Sequence, residues 1–292
     1  MKIGFIQQAN QTDQTANLAH SIKQIEILAS QGAELVVLQE LHSCVYFCQT
    51  ENSCHFSSAE PIHGPTFQSL SVVAKQYNLI IVASIYEQRD TGLYHNTALV
   101  IDSDGSLAGF YRKMHIPDDP GYYEKYYFSP GDTGFTPIST SRAKLGVCIC
   151  WDQWFPEAAR LMALAGAEIL IFPSAIGWDQ QDSDSEKQRQ LDAWITIQRS
   201  HAIANHLPVV AVNRVGFEPD PSAATTGIDF WGNSFICDAM GKIISQADSH
   251  NASTQLAQID LLETRQQRNI WPFFRDRRID AYQDLSKRWR DN

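Results

Sequence analysis

At 292 residues, with 43% hydrophobic and 19% charged side chains, the chain has the composition of a soluble globular protein holding one large α/β domain or two small ones. A formal net charge of −10 argues against a nucleic-acid partner and favours a small cationic ligand. No apolar run approaches the roughly 18 residues that cross a bilayer, so no membrane partner is expected.

Met1-Lys-Ile-Gly-Phe-Ile enters a strand pattern directly, without signal-peptide architecture. The six cysteines are few for the length, and Cys148 and Cys150 share one strand, so a disulfide scaffold is not expected. A cytoplasmic location follows as the expectation. Lys2 to Gln8 reads as that first strand, and Ala16 to Gln31 as a helix with Leu18, Ile22, Ile25 and Leu28 along one stripe, closed by Gly32. Glu34 to Glu40 reads as a second strand around the apolar run Leu35 to Leu38, as buried parallel strands do. A carboxylate ending such a strand is either a surface cap or a site residue, because open α/β sheets bind ligands at strand C-termini.

Residues 41–64 are irregular and carry Cys44, Cys48 and Cys54, with His42, His55 and His63 nearby. The spacing C-x3-C-x5-C matches no common zinc pattern, so a loop at the substrate rim is expected, with no metal. Pro65 to Tyr77 reads as a helix and Leu79 to Ile85 as a third strand. A hairpin follows, Asn96 to Asp102 and Ser106 to Lys113 around Ser103-Asp-Gly105. Lys113 to Thr136 is long, aromatic and rich in Pro and Gly, a composition of functional loops.

Leu145 to Ile149 is a strand, and Pro156 opens a helix to Ala165. Cys150 sits between them, where rigid elements present loops. It is either a small core residue, as free cysteines usually are, or a nucleophile, and its place at the strand exit distinguishes it from Cys148. Glu168 to Pro173 and Pro208 to Arg214 read as strands, Glu186 to Asn205 as a helix. Asn233 to Cys237 and Ile243 to Gln246 form a second hairpin, and Gln255 to Ile259 one more strand. Residues 1–264 are read as one domain, and the basic, aromatic tail 265–292 as an arm packing on it or on a partner subunit.

The stretches 1–113 and 144–246 repeat one order of elements: strand, helix, strand, helix, strand, hairpin. Two such sheets with helices outside each predict a four-layer α-β-β-α sandwich of two pseudo-symmetric halves. Glu40, Lys113 and Cys150 each end a strand. If they converge, Glu40 can take the thiol proton, while Lys113 and the Trp151 backbone N–H stabilise an oxyanion. Taken alone, Lys113 reads more readily as a solvated strand end.

Leu35-Val-Val-Leu-Gln-Glu40, Tyr111-Arg-Lys-Met-His-Ile-Pro117 and Gly146-Val-Cys-Ile-Cys-Trp-Asp152 resemble, in order, the three motifs of the nitrilase superfamily of carbon–nitrogen hydrolases. The resemblance implies the four-layer sandwich, a catalytic set at Glu40, Lys113 and Cys150, and a second glutamate at Glu124 that positions the lysine and assists the water step. It also implies a homo-oligomer and no cofactor. Ile116 to Lys125, Cys150 to Arg160 and Trp271 to Arg278 resemble the branch that hydrolyses N-carbamoylputrescine, although Ile279 stands where a proline is common.

A substrate with an ammonium end needs carboxylates or carbonyls around it once desolvated. Asp118 and Asp119 are candidates, with loop capping beside Pro120-Gly121 as their alternative role. Tyr122, Trp154 and Trp178 are candidates to flank the methylene chain or face the cation. N-carbamoyl amino acids and ω-amides remain as alternative substrates, and a silent scaffold as the alternative to an enzyme.

Overall fold

The computed structural model describes residues 1–290. Its first half runs β1 (Lys2–Gln7), α1 (Gln14–Ser30), β2 (Leu35–Leu38), α2 (Pro65–Tyr77), β3 (Ile80–Asp90), β4 (Leu93–Ile101) and β5 (Leu107–Arg112). α3 (Glu124–Tyr127) and β6 (Ile138–Ser139) lie in the connection. The second half runs β7 (Lys144–Val147), α4 (Pro156–Leu164), β8 (Ile169–Ser174), β9 (Gly177–Asp179), α5 (Asp184–Asn205), β10 (Val209–Asn213), β11 (Val215–Pro219), β12 (Gly227–Trp231), β13 (Phe235–Cys237) and β14 (Ile243–Gln246). β15 (Ser253–Gln258) and α6 (Leu261–Ile270) follow.

Two six-stranded sheets carry the fold, in the orders β15-β1-β2-β3-β4-β5 and β14-β13-β10-β8-β7-β6. Each has three parallel strands, then two antiparallel ones, with one antiparallel strand added at the other edge. The repeat predicted from the order of elements is therefore present in the pairing.

Strand alternation builds the layers. Ile3, Phe5, Leu35, Val37, Ile80 and Val82 point at the second sheet and pack with Leu145, Val147, Ile169 and Ile171. Their neighbours Val36, Leu38, Ile81 and Ala83 point outward and pack with Ile25, Leu28, Leu70 and Val73 of α1 and α2. Gly4 lies under α1 so closely that a Cβ there would stand 2.6 Å from a Leu28 methyl. On the far side Ala158, Met162 and Trp194 of α4 and α5 join the inner core. The result is the expected four-layer α-β-β-α sandwich.

Asp13 starts α1 by accepting hydrogen bonds from the Thr15 and Ala16 amides. Its buried face is Asn17, Ser21, Ile25 and Leu28, with Leu18 and Ile22 only half-buried. The polar residues are inside because they hold the loop after β2: Asn17 donates to Ser43 O, and Ser21 bonds His42 and Gln8.

Two other differences from the sequence reading are structural. The expected hairpin is a three-stranded meander, since β3 runs on to Asp90 and turns at Thr91-Gly92 into β4. A small third sheet, β11-β12-β9, was not anticipated. α6 spans the boundary expected at 264/265, and beyond it Phe274 lies between the guanidiniums of Arg160 and Arg268. No helix among the described residues is long and apolar enough to cross a membrane.

Candidate active site

Glu40, Lys113 and Cys150 come from the ends of β2, β5 and β7, each one to three residues past the last strand residue. The chain must leave the sheet sharply at two of them. Leu41 adopts φ +47° and Cys150 φ +42°, both in the left-handed region that ordinary side chains resist. Strain of this kind persists where the surroundings over-determine it.

For Cys150 the clamp is Asp152, a fully buried carboxylate. It accepts from the Ile149 amide at 2.9 Å, the Tyr111 hydroxyl at 2.8 Å and the His115 amide at 3.0 Å, and meets the His115 ring at 2.7 Å. The turn of Cys150 is thus tied to the strand that ends in Lys113. Trp151 is the second residue of a short 3-10 turn, Cys150–Trp154, and amides at such a start have no intrahelical acceptor.

Lys113 is fully buried, with its ammonium 2.8 Å from Glu40 Oε1 and 2.6 Å from Glu124 Oε2. Asn96 donates to Glu40 Oε1 at 2.6 Å, and the Tyr46 hydroxyl donates to Glu124 Oε1 at 2.7 Å. Glu40 Oε2 is buried and has no hydrogen-bond partner among the described residues. A buried carboxylate oxygen left open is costly unless something else is meant to meet it.

The electrostatics follow from burial around one cation and two anions. Burial pushes Glu124 up, and the neighbouring Glu40 charge adds to this against the pull of Lys113, leaving it at about 7. Burial works against the charged form of Lys113, yet Glu124 and Glu40 outweigh it and hold the ammonium well above its ordinary range. Burial, with the Glu40 charge, also holds the Cys150 thiol well above its usual value. Cys150 therefore rests as a neutral thiol, and a base must remove its proton for it to attack.

A cavity of about 490 Å³ opens over Cys150. Of the residues singled out in the sequence, Asp119, Tyr122, Glu124, Trp151 and Trp154 line it. Asp118 and Trp178 are not on this wall; Trp178 packs against Trp231 and donates to Lys187 O. Asp179, the last residue of β9, is on the wall, and Asp182, Arg189 and Gln190 of the β9–α5 region, missed from the sequence, complete it. Tyr122 is fixed by exchanging hydrogen bonds with Gly177.

None of residues 41–64 lines the cavity, which corrects the expectation of a substrate rim there. Cys44 and Cys48 instead join an apolar cluster with Tyr46, Phe47, Tyr86, Tyr127 and Phe128 behind the site, and Cys54 is exposed. Asn96, Tyr46 and Asp152 were not foreseen. Of these only Asp152 carried a signal, being an acidic residue inside a turn.

The carbon–nitrogen hydrolase family profile matches residues 2–269. Among curated relatives, an Arabidopsis thaliana protein named N-carbamoylputrescine amidase is 42% identical over 97% of this chain and 94% of its own. A Francisella tularensis protein named citrullinase is 42% identical over 99% of both chains. The crystal structure of a carbon–nitrogen hydrolase from Helicobacter pylori G27 superposes with a TM-score of 0.96 at 50% identity, covering 99% of each chain. Saccharomyces cerevisiae Nit3, a member of branch 10 of the nitrilase superfamily, gives a TM-score of 0.77 at 27% identity over 95% of this chain and 96% of its own. The chain belongs to the carbon–nitrogen hydrolases of the nitrilase superfamily and is an amidohydrolase.

Proposed function

We propose that this enzyme hydrolyses N-carbamoylputrescine to putrescine, carbon dioxide and ammonia, a step of polyamine synthesis, with Cys150 as nucleophile and Glu40 as base. The observation that carries the substrate is the charge of the wall. Asp119, Glu124, Asp179 and Asp182 face one cation, Arg189. That guanidinium is already engaged by both oxygens of Glu186, at 2.7 and 2.8 Å. The field at the mouth thus favours an ammonium group. Relatives named N-carbamoylputrescine amidase at 41–42% identity support the same choice.

In this reading Glu40 Oε2 takes the thiol proton as Sγ attacks the carbamoyl carbon. The Lys113 ammonium and the Trp151 N–H hold the oxyanion. Glu40 returns the proton to the departing nitrogen, and ammonia leaves a carbamoyl-thioester. Water, deprotonated by Glu40 with Glu124 holding Lys113 in place, then adds to the thioester carbonyl. The released carbamate loses carbon dioxide to give putrescine. As part of the same proposal the protein acts as a cytoplasmic homo-oligomer and takes no cofactor.

A second reading is citrulline, which carries the same carbamoyl group on an amino acid. It is favoured by the Francisella relative named citrullinase. Ammonia release from N-carbamoylputrescine, citrulline and N-carbamoyl-β-alanine, measured side by side on purified protein, tests the proposal. Turnover of N-carbamoylputrescine with at least tenfold preference supports it. Preference for citrulline or N-carbamoyl-β-alanine overturns the substrate, and silence on all three overturns the proposal.

A further inference from the structure

Arg214 is fully buried, between β10 and β11 in the second half of the sandwich, and its side chain reaches across to the first half. Nη2 donates to Glu40 O at 3.1 Å and to Leu41 O at 2.9 Å. Nη1 donates to Cys44 O at 2.8 Å and to Glu218 Oε1 at 2.7 Å. One planar guanidinium therefore gathers three carbonyls of the loop that follows β2, and the face of Phe230 lies 5.3 Å from it. The first of those carbonyls belongs to Glu40, and the second to the residue held at φ +47°.

The contacts continue. Glu218 Oε2 accepts the Tyr46 amide at 2.5 Å, and Tyr46 in turn donates its hydroxyl to Glu124. Both carboxylates flanking Lys113 are thus reached from Arg214, one through the backbone of its own residue and the other through Glu218 and Tyr46. A buried arginine whose task is packing has no need to end on these two residues. Its burial is tolerable because Glu218 and the three carbonyls replace most of its water.

We propose that Arg214 is a positioning residue for the hydrolysis: with Glu218 it sets Glu40 at Cys150 and Glu124 at Lys113. It makes the first half's carboxylates answer to the second half, which supplies the nucleophile. This rests on the roles given above to Glu40 and Glu124. The strained turn at Leu41 is the reason a clamp is needed, since released it relaxes to an ordinary backbone and carries Glu40 with it.

The test is R214K with E218Q, assayed for ammonia release from N-carbamoylputrescine and citrulline, with thermal unfolding in parallel. Lysine keeps the charge but its compact ammonium cannot span the same fork of acceptors. The expected result is a fall in kcat of about 10- to 100-fold with KM within about threefold, because misplacing a catalytic group by an ångström costs rate of this order. E218Q keeps an acceptor for Arg214 but presents an amide where Tyr46 needs one. It is expected to lower kcat and to move the pH limb set by Glu124, and it carries the test if R214K does not fold.

Folded variants with wild-type kcat and pH profile overturn the proposal, whatever their melting temperatures. So does a change confined to KM. A wild type silent on both compounds instead overturns the substrate reading on which the proposal rests, so the two failures are told apart.

Discussion

Replacing Glu40 by glutamine separates chemistry from folding at the centre of the site. Glu40 Oε1 already accepts from Asn96 and Lys113, and a glutamine oxygen in the same place keeps both bonds. The change falls on Oε2, which has no partner among the described residues and becomes an NH₂ group unable to take a proton. Lys113 keeps Glu124 at 2.6 Å, so no ammonium is left buried alone. Removing one of two neighbouring carboxylates also relieves the repulsion that helps to raise Glu124. Stability should therefore move by only about 1 kcal/mol, well below the roughly 3–5 kcal/mol of an orphaned buried charge. Loss of a general base costs about 10²- to 10⁴-fold in rate, or about 3–5 kcal/mol of barrier at 1.36 kcal/mol per decade. Initial rates of ammonia release, with melting curves on the same samples, give both numbers. A folded Glu40→Gln protein slowed less than about tenfold would refute the base assignment.

Cys150→Ala is expected to fold and to release no ammonia, since only a methyl remains where attack must start; measurable turnover would remove Cys150 from the chemistry. Lys113→Met leaves Glu40 and Glu124 buried without their cation and should cost about 3–5 kcal/mol in urea unfolding at pH 8. The loss should shrink at pH 5, because Glu124, raised by burial, binds a proton more readily folded than unfolded, and equal losses at both values would count against the pairing. Tyr46→Phe removes a hydrogen bond that holds Glu124 down, so the activity limb near pH 7 should move upward, which a pH–rate profile against wild type would detect. An unmoved limb would mean that Glu124 does not set it.

Much of the fold was legible because its parallel strands are buried on both faces and read as continuous apolar runs. Val36 serves the helices and Val37 the facing sheet, so neither position tolerates a polar residue. What escaped has the opposite character. β3 seemed to stop at Ile85 because Glu87, Gln88 and Arg89 look like a surface turn. Glu87 is in fact buried, holding the Arg112 guanidinium at 2.6 Å. The buried Asn17 and Ser21 of α1 misled in the same way, since each is inside to bond a loop. The sheet of β9, β11 and β12 has strands of three to five residues, half-exposed in part, with β11 ending at Pro219 and with Gly216 and Gly227 at positive φ inside β11 and β12. Too little periodicity survives over such lengths to be read.

The site divides along a similar line. Strand ends are visible in a sequence, so Glu40, Lys113 and Cys150 could be placed at one end of two sheets without any contact being known. Glu124 came only from the resemblance, because nothing in Tyr-Tyr-Glu-Lys-Tyr shows that it will be buried against a lysine eleven residues back. Asn96, Tyr46 and Arg214 are ordinary residues until the fold closes 56 residues of chain onto Glu40, 78 onto Glu124 and 174 onto Glu40 again. The wall shows the same dependence, with Asp119 lining the cavity and Asp118, equally exposed, off it. The most informative atom is the least legible of all. Glu40 Oε2 matters because no other described residue bonds it, and that follows from where Asn96 and Lys113 spend their donors. Sequence supplies the carboxylate; only the completed packing leaves one of its oxygens without a partner among the described residues, in the neighbourhood of a thiol that burial keeps protonated.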